Sequence, residues 1–213
     1  MMVATAIMVA VSSSVYAQRS PAGIVSVQDS VKSVQFGLIS SVATDGGHGV
    51  QLSGASNASA NRFNGLQLST VNNITNGMDR GLQFSGILNV SSAMMRGWQM
   101  AAINYTDSLD GAQIGLINVA RKRQKGWQVG LVNMSFDSIG HKIGLVNINP
   151  TTRVDLMMYG GTSTKGNIAL RYRNKSTYNV IGVGTHFMGL DSKFSGAVFY
   201  RLGQYLQLSP NGV

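Results

Sequence analysis

A chain of 213 residues that is 44% hydrophobic and only 12% charged is long enough to bury a sizeable core and too apolar to be disordered. It has no cysteine, which excludes disulfides, thiol nucleophiles and thiolate metal sites, and all eight acidic residues are Asp, so the Glu that strong helices favour is missing. Seventeen Lys and Arg leave a formal charge of +9, and 26 Gly against three Pro point to tight turns rather than disordered linkers.

First in chain order is an uncharged apolar run, MMVATAIMVAVSSSVYAQ, ending in Val15-Tyr16-Ala17, the small-residue pattern of a signal-peptidase site. We expect residues 1–17 to be a signal peptide, with a mature chain that starts at Gln18 and keeps every charge. No cation precedes the run, as a start codon placed a few residues late would produce. Ser12-Ser13-Ser14 break the run short of the ~20 residues a membrane helix needs, and no later stretch is long and apolar enough to cross as a helix.

Residues 18–33 read as a lead-in to a repeat array over 34–150. Gly-x-Gln opens at Gly49, Gly65, Gly81, Gly97, Gly111 and Gly126, and Gly140 follows with Lys142 in the Gln place, at spacings of 16, 16, 16, 14, 15 and 14 residues. A weaker copy at Val34-Gln35-Phe36 brings the array to about eight units. Five or six residues after each Gln comes Asn, at Asn57, Asn72, Asn89, Asn104, Asn118, Asn133 and Asn147. Each unit therefore reads as one strand followed by a turn region.

Strand alternation across the unit from Trp127 places Trp127, Val129, Leu131 and Asn133 on one face, and Gln128, Gly130, Val132 and Met134 on the other. The first face recurs as Trp98, Met100, Ala102 and Asn104, and as Ala112, Ile114, Leu116 and Asn118. It is expected to be a buried stripe ending in a fixed amide. The second sets Gln and a small residue at fixed places, which implies close approach of another backbone.

Two architectures fit this pattern. In a β-solenoid, units stack in parallel ~4.8 Å apart. Gln99, Gln113 and Gln128 then form one structural ladder and Asn104, Asn118, Asn133 and Asn147 a second, because each amide donates to one neighbour and accepts from the other. In an antiparallel, outer-membrane type of barrel, successive strands reverse, so a fixed Gln alternates between ends and its repetition gains nothing. A membrane barrel also needs strands of ~9–11 residues that are apolar outward along their whole length. The expected fold class is all-β, a solenoid-like array followed by antiparallel strands, with the barrel as the alternative.

After Asn149-Pro150 the repeat stops. Residues 151–213 carry DLMMYGG, GNIALRYR, TYNVIGVGTHF and FSGAVFYRLGQYLQLS, separated by polar turns over 162–166 and 189–193. These are antiparallel hairpins that either cap the array or form the first staves of a barrel. Val198, Tyr200, Leu202, Leu206 and Leu208 share one face of the last run. The end at Asn211-Gly212-Val213 lacks the terminal aromatic of many outer-membrane barrels, so this region is expected to be truncated.

Chemistry-bearing residues are scattered. His48, His141 and His186 form no HExxH pair, no GxSxG elbow is present, and Gly182-Val183-Gly184 lacks the strand-to-helix setting of a dinucleotide loop. Asp107 and Asp110 share what reads as a turn, where Asp bonds its own backbone. We expect no catalytic, metal or cofactor-binding residues. The sequons at Asn57, Asn73, Asn89, Asn104, Asn133 and Asn174 are by-products of an Asn-rich repeat. One cluster stands out. Arg121, Lys122, Arg123 and Lys125 fill the apparent turn between two repeat strands and are the candidate site for an anionic glycolipid, polysaccharide or envelope protein. The alternative is a solvated turn that blocks edge pairing. No aromatic is interleaved for base stacking, so nucleic acid is not expected.

The units GLQFSGILNVS, GAQIGLINVA and GWQVGLVNMS, with HKIGLVNINP closing the array, resemble the surface-repeat-containing proteins of spirochaetes and Bacteroidetes over about 34–150. The stretch LRYRNKSTYNVIGVGTHFMGLDSKFSGAVFYRLGQYLQLSP is similar to the tail of the Bacteroidetes members. The resemblance implies an exported bacterial protein of the outer membrane or cell surface, with the periplasm as a further location, and supplies no catalytic residues. The expected function is a non-catalytic envelope repeat protein with a structural or macromolecule-binding role. The alternatives are an outer-membrane barrel or pore component, and an exported hydrolase built around His141 or His186.

Overall fold

The computed structural model describes residues 17–18, 22–137, 140–161, 165–173, 177–185 and 196–204. Among them there is no helix, and the chain divides into two compact units, one through Gly144 and one from Leu145. The signal-peptide segment, His186, Asn174, Leu206 and Leu208 lie outside the described residues, apart from Ala17.

The first unit is a parallel β-solenoid, part of a stack of about eight coils. Its strands are β1 (Ala17–Gln18), β2 (Ala22–Val31), β3 (Val34–Ser53), β4 (Ser56–Ser59), β5 (Phe63–Leu68) and β6 (Asn72–Thr75). They continue as β7 (Asp79–Phe84), β8 (Leu88–Met100), β9 (Ile103–Ile114), β10 (Ile117–Val129), β11 (Val132–Ser135) and β12 (His141–Ile143). Every pairing is parallel, and equivalent residues of successive coils are partners. One track aligns Gln51, Gln67, Gln83, Gln99, Gln113, Gln128 and Lys142. A second aligns Ser41, Asn57, Asn73, Asn89, Asn104, Asn118 and Asn133. Antiparallel strands cannot give such like-to-like register, which decides for the solenoid. The stack also begins earlier than Val34, because β2, in the expected lead-in, pairs in parallel with β3.

Glycine makes the corners. Gly49, Gly65, Gly81, Gly97, Gly111 and Gly126 form one column at φ between +115° and +147°, where a side chain is disfavoured. The same column is tight, since a Cβ at Gly97 would lie 2.0 Å from the Gly81 carbonyl oxygen. The small residue after the Gln answers the second sequence expectation. A Cβ at Gly130 would lie 2.2 Å from the Gly115 carbonyl oxygen and 2.6 Å from Asn118 Nδ2, so the approaching backbone is the preceding coil.

The expected buried stripe is not buried. Trp98 and Trp127 are 50% and 49% exposed, and Leu116 and Leu131 are 54% and 49% exposed, while every Gln and Asn of the two tracks from Gln51 to Asn133 is buried. The reason is a corner between Gly130 and Val132 and its equivalents, which strand alternation does not survive. On the straight segment the residues either side of Gln128 point outward. After the corner Asn133 points inward again. The corner also corrects one position of the Asn series, since Asn73 and not Asn72 is fully buried and in register. Asn72 instead accepts a hydrogen bond from the Ser56 hydroxyl at 2.6 Å. Apolar packing inside the stack includes two clusters, Val31, Ala43 and Phe63, then Met95, Leu109 and Ala120, and Val25, Val42, Ala58, Ile74 and Ala101 are buried as well.

The second unit holds β13 (Val146–Ile148), β14 (Arg153–Tyr159), β15 (Gly166–Arg173), β16 (Thr177–Thr185) and β17 (Gly196–Gln204). The last four form an antiparallel meander in sequence order. Val198, Tyr200 and Leu202 share its exposed face.

Candidate functional site

Both amide tracks are continuous hydrogen-bonded columns. From Gln51 to Gln128, each Nε2 donates to the Oε1 of the preceding coil at 2.7–2.8 Å. From Asn57 to Asn118, each Nδ2 donates to the Oδ1 of the following coil at 2.8–3.1 Å. The two columns therefore run in opposite donor directions. Asn Nδ2 also ties down the corner, as Asn104 donates to the Ile114 carbonyl at 2.9 Å and Asn118 to that of Val129 at 2.9 Å. Gln99, Gln113 and Gln128 thus stand in one column and Asn104, Asn118 and Asn133 in the other. Asn147 is half-buried on β13, in the second unit.

The column ends are chemically distinct. Gln128 Oε1 accepts from no described residue, and the next position in register belongs to Lys142. Burial lowers the Lys142 pKa, opposed by the charge of Asp137. At the other end Asn57 Oδ1 is unpartnered among the described residues. Ser41 holds the preceding position and turns its hydroxyl to the Leu52 carbonyl at 2.9 Å.

Sequence reasoning missed Asp79. It stands in register between Phe63 and Met95 and is 2% exposed, so a carboxyl separates the two apolar clusters. Its Oδ2 accepts from Gln83 Nε2 at 3.0 Å. Burial pushes its pKa up to about 8, against the opposing pull of hydrogen bonds from Thr75 and Ser91. The signal was there to read, because neighbouring coils carry Phe63, Met95 and Leu109 at this position. A consequence follows for stability. The unfolded chain ionises this group near 3.8 and the folded chain near 8. Its contribution is therefore fully present below the unfolded value and is lost as pH rises towards the folded one, at up to about 1.4 kcal/mol per pH unit. Urea midpoints of the parent should fall between about pH 5 and about pH 8 relative to those of Asp79→Asn. A difference between the two proteins that does not change with pH would refute the buried neutral acid.

The basic cluster is not a turn. β10 runs through Arg121, Lys122, Arg123 and Lys125 with a bulge between Ala120 and Arg123. Asp107, expected to bond its own backbone, lies on β9 and receives the cations of the next coil. Arg121 Nε and Nη2 donate to its two oxygens at 2.8 and 2.9 Å, Lys122 Nζ is 2.8 Å away, and the Tyr105 hydroxyl donates at 3.0 Å. The Arg121 guanidinium holds the Asp107 carboxyl well below the usual range, burial opposes it, and Lys122 and Tyr105 assist. Arg123 and Lys125 remain exposed, and Lys125 aligns with Asp110, which aligns with Arg96. This exposed row immediately precedes the glycine corner.

Around that corner lies the outward face of the Gln track. Leu82 and Phe84, Trp98 and Met100, Ala112 and Ile114, then Trp127 and Val129 flank successive glutamines. His141 continues the row and stacks on Trp127, with ring centres 4.6 Å apart and planes 27° apart. His48 belongs to a different row, in register with Asn64 before the corner. The structure therefore brings neither histidine to Asp107, and no group of three potential metal ligands occurs among the described residues. What the site offers is an exposed ribbon, apolar and aromatic, bordered by alternating charge. No protein-family model matches the chain, and no curated protein or solved structure matches it.

Proposed function

We propose that this is an exported bacterial protein of the outer membrane or cell surface, whose coils present a regular face to another macromolecule and which catalyses no reaction. The reading is carried by the exposed ribbon. Large apolar side chains at equivalent places in successive coils, including Trp98 and Trp127, form a contiguous patch that water disfavours and a partner would cover. Arg96, Arg123 and Lys125 along its border suit a partner that carries anionic groups, such as a glycolipid, a polysaccharide or an acidic envelope protein. The GxQ and Asn units support a place among the surface-repeat-containing proteins. Fractionation of native cells tests this reading. The protein should be recovered in the envelope with Gln18 as its first residue. Recovery from the cytosol with Met1 intact would overturn it.

A further inference from the structure

The outward row that precedes the Gln column runs Val50, Leu66, Leu82, Trp98, Ala112, Trp127 and His141, one side chain from each coil. Each is branched or carries a ring except Ala112, and Ala112 stands between the chain's two tryptophans. Coils stack about 4.8 Å apart, so the backbone positions of Trp98 and Trp127 are about 9.6 Å apart. Only a methyl group floors the gap between them. One coil further on, His141 stacks on Trp127 with ring centres 4.6 Å apart, close to the coil spacing itself. The face of Trp127 turned away from His141 therefore looks over Ala112. A ring bound at the place where the chain has none would lie about 4.8 Å from each tryptophan position, a separation at which ring faces attract.

The border of the gap selects the kind of ring. Arg96, Asp110 and Lys125 form an exposed row across the glycine corner from Trp98, Ala112 and Trp127, two residues earlier in the same three coils. A cation thus accompanies each wall and a carboxylate the floor. An aromatic side chain from a partner protein has an apolar edge, and would displace water from these charges without replacing its hydrogen bonds. A pyranose has apolar C–H faces for the two indoles and a rim of hydroxyls for the charged border. Arg80 continues the row, so its cations outnumber its acid and favour a sugar that carries a carboxylate. A nucleobase shares the flat faces and polar edge, but the envelope location proposed above speaks against it.

We infer that the gap over Ala112 is a sugar-binding slot, in which Trp98 and Trp127 hold one pyranose ring of an acidic polysaccharide between them. Asp110 accepts from its hydroxyls, and Arg96 and Lys125 pair with its carboxylate. The inference deepens the proposed macromolecule-binding role and rests on it. Because both tryptophans of the chain flank the slot, intrinsic fluorescence reports on it. Titration of the full chain with oligogalacturonate, oligoguluronate and hyaluronan oligosaccharides should give saturable quenching with at least one, tighter than with neutral cello-oligosaccharide. Ala112→Leu places in the slot the side chain that Leu66 and Leu82 carry in other coils. It should abolish the response and leave the urea midpoint unchanged. Trp98→Ala, followed by titration calorimetry, should lose about tenfold in affinity. Lys125→Gln should weaken the acidic sugar about threefold and leave the neutral one unaffected. Absence of saturable binding to all three acidic sugars overturns the inference. So does undiminished binding by Ala112→Leu, or tighter binding of oligothymidylate or of a tyrosine-rich peptide than of any sugar. Envelope recovery from cells without sugar binding would reject the slot and leave the proposed location standing, while sugar binding by a protein recovered from the cytosol would do the reverse.

Discussion

Gly97→Ala should destabilise the array by about 4 kcal/mol or more, near the limit of what one methyl group can do. Two costs combine. A φ of +130° strains any residue with a Cβ by ~1–3 kcal/mol. The added carbon also meets the Gly81 carbonyl at 2.0 Å, and that carbonyl belongs to the neighbouring coil's backbone, which cannot rotate away. Gly166→Ala is the matched control, because its Cβ would find only the Thr185 methyl at 3.7 Å. Urea denaturation of the two variants reads the contrast. Similar costs at the two sites would mean that the corner geometry is not what holds the coils.

The second large effect is expected at Asn104. Replacement by Leu keeps the branched four-atom side chain but removes a donor to Asn118 Oδ1 and to the Ile114 carbonyl, and an acceptor for Asn89 Nδ2. Each buried polar group left without a partner costs ~1–3 kcal/mol, so the variant should lose roughly 3–5 kcal/mol. Asn57→Leu, at the end of the column, should cost less because Asn57 Oδ1 has no partner to lose. Equal losses in thermal or urea melts would show that the amides act singly and not as a column.

These two sites also mark how far the sequence could be read. Recurrence of Gly-x-Gln at 14–16 residues carried the parallel stacking, because only a solenoid rewards the same residue at the same place in every unit. The faces were not legible, since strand periodicity was carried across a corner that resets it. That put Trp98 and Trp127 inside when they are half exposed. The doublet Asn72-Asn73 was misassigned by one residue because the gap between Gln and Asn is six residues in the early coils and five in the later ones. Charge misled in a different way. Arg121-Lys122-Arg123 looks like a solvated turn until Asp107, fourteen residues earlier, is placed beneath Arg121 by the stacking. Asp79 was overlooked because a single acid in a repeat reads as variation, although aligning the units sets it in the column of Phe63, Met95 and Leu109.

The opposed donor directions of the Gln and Asn columns bear on how such a protein can change over generations. Every coil presents the same donor and acceptor to the coil on either side, so duplication or loss of one whole coil rejoins both columns without an unpaired amide. The amide dipoles added by each coil oppose one another, so a longer stack does not accumulate an axial field. Small differences in coil length are absorbed at the bulges between Ser91 and Met94 and between Ala120 and Arg123, away from both columns. A difference of one residue between Gln and Asn is taken up at the corner in the same way, since the gap is six residues from Gln83 to Asn89 and five from Gln99 to Asn104 and both columns run on unbroken. Copy number and corner length are thus the cheap variables of this architecture, and lineages carrying it should differ by whole coils and at corners far more readily than at the amides themselves.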